Sequence, residues 1–90
     1  MSKKIELGER PLFNKIRAMS NEYRFRILEL AEAEKMCITE LSSTLKLSYT
    51  KCADYIRLLE KEGLVRKKRN GKEVFVESRV RIKGDRIDFV

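Results

Sequence analysis

Residues 38–63 read ITELSSTLKLSYTKCADYIRLLEKEG, and the way they fold decides the architecture. Leu41 and Leu45 follow Ile38 at the spacing of one face of a short helix, with Thr39 placed as its N-cap. Lys46 and Leu47 leave room only for a tight link, and Ser48 is the N-cap of the next helix, Tyr49–Glu62. In that helix Cys52, Ile56 and Leu59 recur at i, i+4 and i+7, so they form one inward face, with Tyr55 beside it. Tyr49, Thr50, Lys51 and Asp54 then point outward. Gly63 ends the helix as a C′ residue with positive φ. Helix, tight link, and a second helix whose N-terminal half is polar and exposed make a helix-turn-helix pattern.

Downstream the period changes from helical to two. Residues 66–75, RKKRNGKEVF, hold an Asn70-Gly71 pair between basic and alternating apolar runs, the strongest short-range signal for a tight hairpin. A turn centred on Asn70-Gly71 pairs Arg69 with Lys72, Lys68 with Glu73, Lys67 with Val74, Arg66 with Phe75 and Val65 with Val76. Val65, Val74 and Val76 then share an inner face, Arg66 and Lys68 point the other way, and the tip is basic on both faces. Beyond Ser78 the alternation continues through Val80, Ile82, Ile87 and Phe89, and Lys83-Gly84-Asp85 can turn the chain into one more strand.

Upstream, Pro11 suits the first turn of a helix, and Leu12, Phe13, Ile16 and Met19 follow at helical spacing to an end near Met19. Ser20 is then the expected N-cap of a second helix, Asn21–Lys35, with Tyr23, Ile27, Leu28, Leu30 and Ala31 on one stripe and Phe25 off it. Glu29, Glu32 and Glu34 read as a solvated face of that helix. Residues 1–8 read as a loose tail and 9–90 as one winged-helix domain. Within it lie the helix-turn-helix (38–63), the wing (64–78) and a C-terminal β extension (79–90). The fold class is α+β: a winged helix-turn-helix of about four helices, a basic hairpin wing and an extra C-terminal strand.

The formal charge of +7 is uneven. Residues 61–86 carry ten basic and four acidic side chains, whereas 22–60 are nearly neutral with six and seven. A strongly positive third points to an anionic partner, nucleic acid before membrane, because the basic run is not an amphipathic helix with aromatic anchors. No stretch approaches a membrane span, and MSKKIELGER lacks the apolar run of a secretory leader, so a cytoplasmic protein with reduced cysteines is expected. Cys37 and Cys52 read as small core residues. With no histidine, no Gly-rich phosphate loop and no nucleophile beside a base, no enzyme is expected. Lys and Glu abound while tryptophan and glutamine are absent, a composition that fits a thermophile.

AMSNEYRFRILEL (18–30), ITELSSTLKLSYTKCADYIRLLEKEGLV (38–65) and RNGKEVFV (69–76) together resemble the ArsR-like winged helix-turn-helix transcriptional regulators. The resemblance covers about residues 18–77. It implies a sequence-specific double-stranded DNA-binding homodimer, usually a repressor, with Ser48, Tyr49, Thr50, Lys51, Asp54 and Tyr55 at DNA-facing positions and Cys52 at a core position. Metal-sensing members carry Cys-x-Cys where this chain has Cys37-Ile38-Thr39, so neither a metal nor another cofactor is expected. Members commonly add a C-terminal helix, whereas residues 79–90 here read as strand. Tyr49, Thr50 and Lys51 are expected to reach base edges, and Arg24 and Arg57 to touch the DNA backbone. Arg66, Lys67, Lys68, Arg69 and Lys72 are expected to form the gripping wing. The alternative from another class is a winged-helix module that binds an acidic protein surface or single-stranded nucleic acid.

Overall fold

The computed structural model describes residues 10–90; the expected tail at 1–8 lies outside them. The elements run α1 (Pro11–Met19), α2 (Glu22–Ala33), β1 (Met36–Cys37), α3 (Ile38–Leu45), α4 (Tyr49–Lys61), β2 (Val65–Asn70), β3 (Glu73–Ser78), β4 (Val80–Lys83) and β5 (Arg86–Phe89). Pro11 occupies the first turn of α1, where no N–H is needed.

Two caps differ from expectation. Asn21, not Ser20, caps α2: its extended backbone lets its side-chain oxygen accept from the Arg24 N–H at 3.0 Å. The Ser20 hydroxyl instead donates back to the Ile16 carbonyl, because Ser20 is still closing α1. Helix α3 starts at Ile38, one residue ahead of the Thr39 cap position. The cause is β1, a strand too short to leave a periodic signal. Its pairing with β3 (Met36 with Val76, Cys37 with Phe75) holds Cys37 extended, so the helix begins immediately after it. The Glu40 carboxylate reaches back to accept the Cys37 N–H, half of a capping box.

Both ends of the helix-turn-helix close in the same way. After α4, Gly63 (φ +75°) donates to Glu60 and Leu64 donates to Leu59. After α3, Lys46 (φ +58°) donates to Ser43 and Leu47 donates to Ser42, so a lysine holds the left-handed position that glycine fills most easily. Lys46→Gly is therefore expected to stabilise the chain by about 1 kcal/mol, measured by urea unfolding as a shifted midpoint with unchanged slope.

The core forms where α2, α3, α4 and the sheet meet. Ile27, Leu28, Leu41, Cys52, Ile56, Leu59, Leu64 and Val76 are completely buried. Each aliphatic side chain among them contributes about 1.5–3 kcal/mol relative to exposure. Phe25, read as off the stripe, packs partly against this core, while Tyr23, read as on it, stays exposed.

The wing forms, with a corrected register. Strands β2 and β3 pair Val65 with Ser78, Arg66 with Glu77, Lys67 with Val76, Lys68 with Phe75, Arg69 with Val74 and Asn70 with Glu73. The turn is therefore Gly71-Lys72, one residue beyond the expected Asn70-Gly71. Gly71 supplies the positive φ (+67°) at the first turn position, so Lys72 needs none and Asn70 joins the strand. Each partner moves by two residues, so side chains keep their faces, and Val65, Val74 and Val76 remain together. The C-terminal extension also differs. It is a separate two-stranded hairpin, β4 with β5, turning at Gly84-Asp85, not one strand added to the wing.

Candidate nucleic-acid interface

Ser48 caps α4, its hydroxyl accepting the Lys51 N–H at 3.1 Å. Tyr49, Thr50, Lys51 and Asp54 are exposed on the first turns, opposite the buried Cys52, Ile56 and Leu59. Asp54 is engaged by Arg57 at 2.8 Å, an i,i+3 pair along the exposed face. Its carboxylate therefore presents a partly neutralised charge.

Tyr55 organises this surface. Its ring stacks on Tyr23 of α2 with centroids 6.0 Å apart and planes 14° from parallel. The Lys51 ammonium lies 5.1 Å and the Arg24 guanidinium 5.5 Å from the Tyr55 ring centre. Arg24 is held from the other side, its Nε donating to the Ala18 carbonyl at 2.6 Å. Two cations from different helices are thus ordered against one aromatic ring. Helical periodicity puts Tyr23 on the apolar stripe of α2 and carries no sign of this role, because only the crossing of α2 and α4 brings the two tyrosines together.

The five wing cations are not equivalent. Arg66 pairs with Glu77 across the hairpin at 3.1 Å, and Lys67 pairs with Glu60 of α4 at 3.2 Å. Among the described residues Lys68, Arg69 and Lys72 have no acidic partner within ion-pair distance, and all three are exposed. The uncompensated charge of the wing therefore sits at its tip.

Both cysteine thiols are buried. Burial pushes Cys52 up to about 11. Burial also raises Cys37, and the Glu73 and Glu40 side chains add to this against the pull of a backbone hydrogen bond at Glu40. Neither is a thiolate near neutral pH. Among the described residues no three Cys, Asp or Glu side chains are grouped to hold a metal ion, and no helix is long and apolar enough to cross a membrane.

Residues 20–66 match the family described as winged helix-turn-helix DNA-binding. The transcriptional activator HlyU of Vibrio cholerae is 33% identical over 60 residues, which are 67% of this chain and 56% of that protein. The aligned stretch therefore spans little more than half of that relative. A solved structure of HlyU from V. cholerae superposes with a TM-score of 0.73 at 28% identity, covering 82% of this chain and 80% of that one. An ArsR-like transcriptional regulator from Rhodococcus sp. RHA1 superposes with a TM-score of 0.68 at 25% identity, covering 76% and 64%. The match spans more than half of the chain and includes both helices of the helix-turn-helix and the root of the wing. The chain belongs to the winged helix-turn-helix DNA-binding family, with ArsR-like regulators among its structural neighbours.

Proposed function

We propose that this protein is a sequence-specific double-stranded DNA-binding transcriptional regulator that acts in the cytoplasm as a homodimer on a pseudo-palindromic site. The observation that carries this reading is the pairing of an exposed, polar α4 N-terminal half with a wing whose tip holds three uncompensated cations. Tyr49, Thr50 and Lys51 read base edges in the major groove, with Ser48 fixing the start of the helix and Tyr55 and Asp54 orienting their neighbours. Lys68, Arg69 and Lys72 hold phosphates or enter the minor groove, and Arg24 and Arg57 touch the backbone. Arg66 and Lys67, tied to Glu77 and Glu60, contribute less. A small DNA-binding chain acts most directly by occluding a promoter, which makes repression the expected outcome. The position of the site relative to the promoter sets the sign.

Fluorescence anisotropy with a mixed-sequence duplex and with the matching single strands, at low salt, tests the class of partner. Tighter duplex binding that weakens with salt is the expected result. A preference for single strands would move the reading to single-stranded nucleic acid, and absence of binding to either would move it to an acidic protein partner. Selection from a random duplex pool then tests sequence specificity.

Tyr55 offers a sharper check. Each cation–π contact contributes about 0.5–1 kcal/mol, so losing both by Tyr55→Leu is expected to weaken duplex binding about 5- to 30-fold by freeing Lys51 and Arg24. Tyr55→Phe keeps the ring and is expected to bind within about twofold of the parent chain. Equal losses in both variants would assign the role to the hydroxyl.

A further inference from the structure

The two edges of the C-terminal hairpin differ in how far the chain itself satisfies their backbone groups. Val90 donates to the Arg79 carbonyl at 2.9 Å, and Lys83 and Arg86 flank the two-residue turn. The bonded rungs of the ladder therefore join Arg79 to Val90, Arg81 to Asp88 and Lys83 to Arg86. That alternation turns the backbone groups of Val80 and Ile82 to the outer side of β4, and those of Ile87 and Phe89 to the outer side of β5.

Three of the four outward backbone groups on the β4 side are satisfied within the chain. The Ile82 N–H donates to Glu32 Oε1 at 2.9 Å, the Val80 N–H donates to the Ser78 hydroxyl at 3.1 Å, and that hydroxyl donates to the Val80 carbonyl at 2.8 Å. Among the described residues nothing serves Ile87 and Phe89 in the same way. An open strand edge is a template for another strand.

The surroundings of that edge are apolar. Of the eight large hydrophobic side chains exposed among the described residues, five lie on α1 or at the end of β5: Leu12, Phe13, Ile16, Phe89 and Val90. A groove of about 400 Å³ runs between α1 and the hairpin, lined by Ile16, Met19, Phe25, Ile82, Ile87 and Phe89. The apolar stripe of α1 is thus buried only at Met19, with Leu12, Phe13 and Ile16 left open.

We infer that a second copy of this chain covers this face by pairing along β5, antiparallel across a two-fold axis at Ile87, into a sheet ordered β4-β5-β5-β4. Charge selects both occupant and register. Arg86 and Asp88 lie 3.6 Å apart along β5, a loose ion pair within the chain. Pairing centred on Ile87 also sets each opposite the partner's opposite charge, so four charges alternate in sign across the axis and one strand is complementary to its own copy. Moving the axis to Asp88 sets the two Asp88 carboxylates against each other. The edge also lies where self-repulsion is least: Asp85, Arg86 and Asp88 sum to a single negative charge within a strongly basic C-terminal third. The two Ile87 residues meet at the axis, and α1 of each copy flanks the joined sheet.

This inference rests on the homodimer reading and specifies its interface. The test compares the parent chain, Arg86→Asp, and the double variant Arg86→Asp with Asp88→Arg by sedimentation equilibrium, with circular dichroism and thermal unfolding checking each fold. Both residues are exposed, so all three chains are expected to fold alike. Arg86→Asp sets like charges opposite each other twice and is expected to raise the dimer dissociation constant about tenfold or more, and the charge swap to restore it. An Arg86→Asp variant that stays as dimeric as the parent overturns the β5 pairing and leaves the homodimer standing. A parent chain that sediments as a monomer at every concentration, and occupies one half-site at a time on duplex DNA, overturns both.

Discussion

Lys68→Ala with Arg69→Ala is expected to weaken duplex binding about 30-fold at 0.15 M salt and to flatten the plot of log affinity against log salt by about two units. The figure follows from counterion release: each phosphate contact contributes a slope of about 0.9, a factor of about five at that salt concentration. The control is Arg66→Ala with Lys67→Ala, which removes the same formal charge. Those two cations already face Glu77 and Glu60 at 3.1 and 3.2 Å, so their loss unmasks two carboxylates and is expected to change the slope by less than one unit. The measurement is equilibrium binding at four or five salt concentrations. Equal slopes for the two double variants would show that the wing does not grip through its tip. A change confined to a few operator positions would instead assign Lys68 or Arg69 to base reading.

Ile56→Ala carries the largest expected effect on folding. Ile56 is fully buried at the centre of the inward face of α4, between Cys52 and Leu59, where α4 packs on α2 and α3. Truncating a buried isoleucine to alanine costs about 2–5 kcal/mol, because the cavity does not fully collapse. A chain of 90 residues is expected to have a total stability of only about 5–13 kcal/mol. The loss is therefore a large fraction of the whole, expected as a fall of about 10–25 °C in melting temperature. Arg57→Ala, one position along and exposed, is expected to shift it by less than about 4 °C. An Ile56→Ala chain that melts with the parent would show that α4 is not docked by this face.

The parts of the structure legible in the sequence were those set by neighbours within one or two turns. The Cys52, Ile56 and Leu59 spacing, the Ser48 cap and the Gly63 stop located α4 to within a residue of its end. The hairpin was legible because a glycine between alternating runs marks a turn. Its register was not, because Asn-Gly and Gly-Lys both satisfy two-residue loops and differ in which residue must take a positive φ. Tyr23 was misassigned since periodicity sees a ring as apolar, whereas the structure leaves it exposed against Tyr55. The α1 stripe showed the same ambiguity, since a helical apolar face looks alike whether it meets its own core or another surface.

By itself, then, the sequence determined the helices, the helix-turn-helix, a hairpin with a basic tip and the face of α4 that turns outward. All of these follow from backbone hydrogen bonds, caps and side-chain spacings that span a few residues. Only the tertiary structure decided which cations keep their charge uncompensated, which strand edge stays open and what holds Lys51 and Arg24 in place. Those outcomes depend on partners far apart in the chain: Arg66 with Glu77 eleven residues on, and Ile82 with Glu32 fifty residues back. No local pattern encodes such a pairing, because it exists only after the helices have packed.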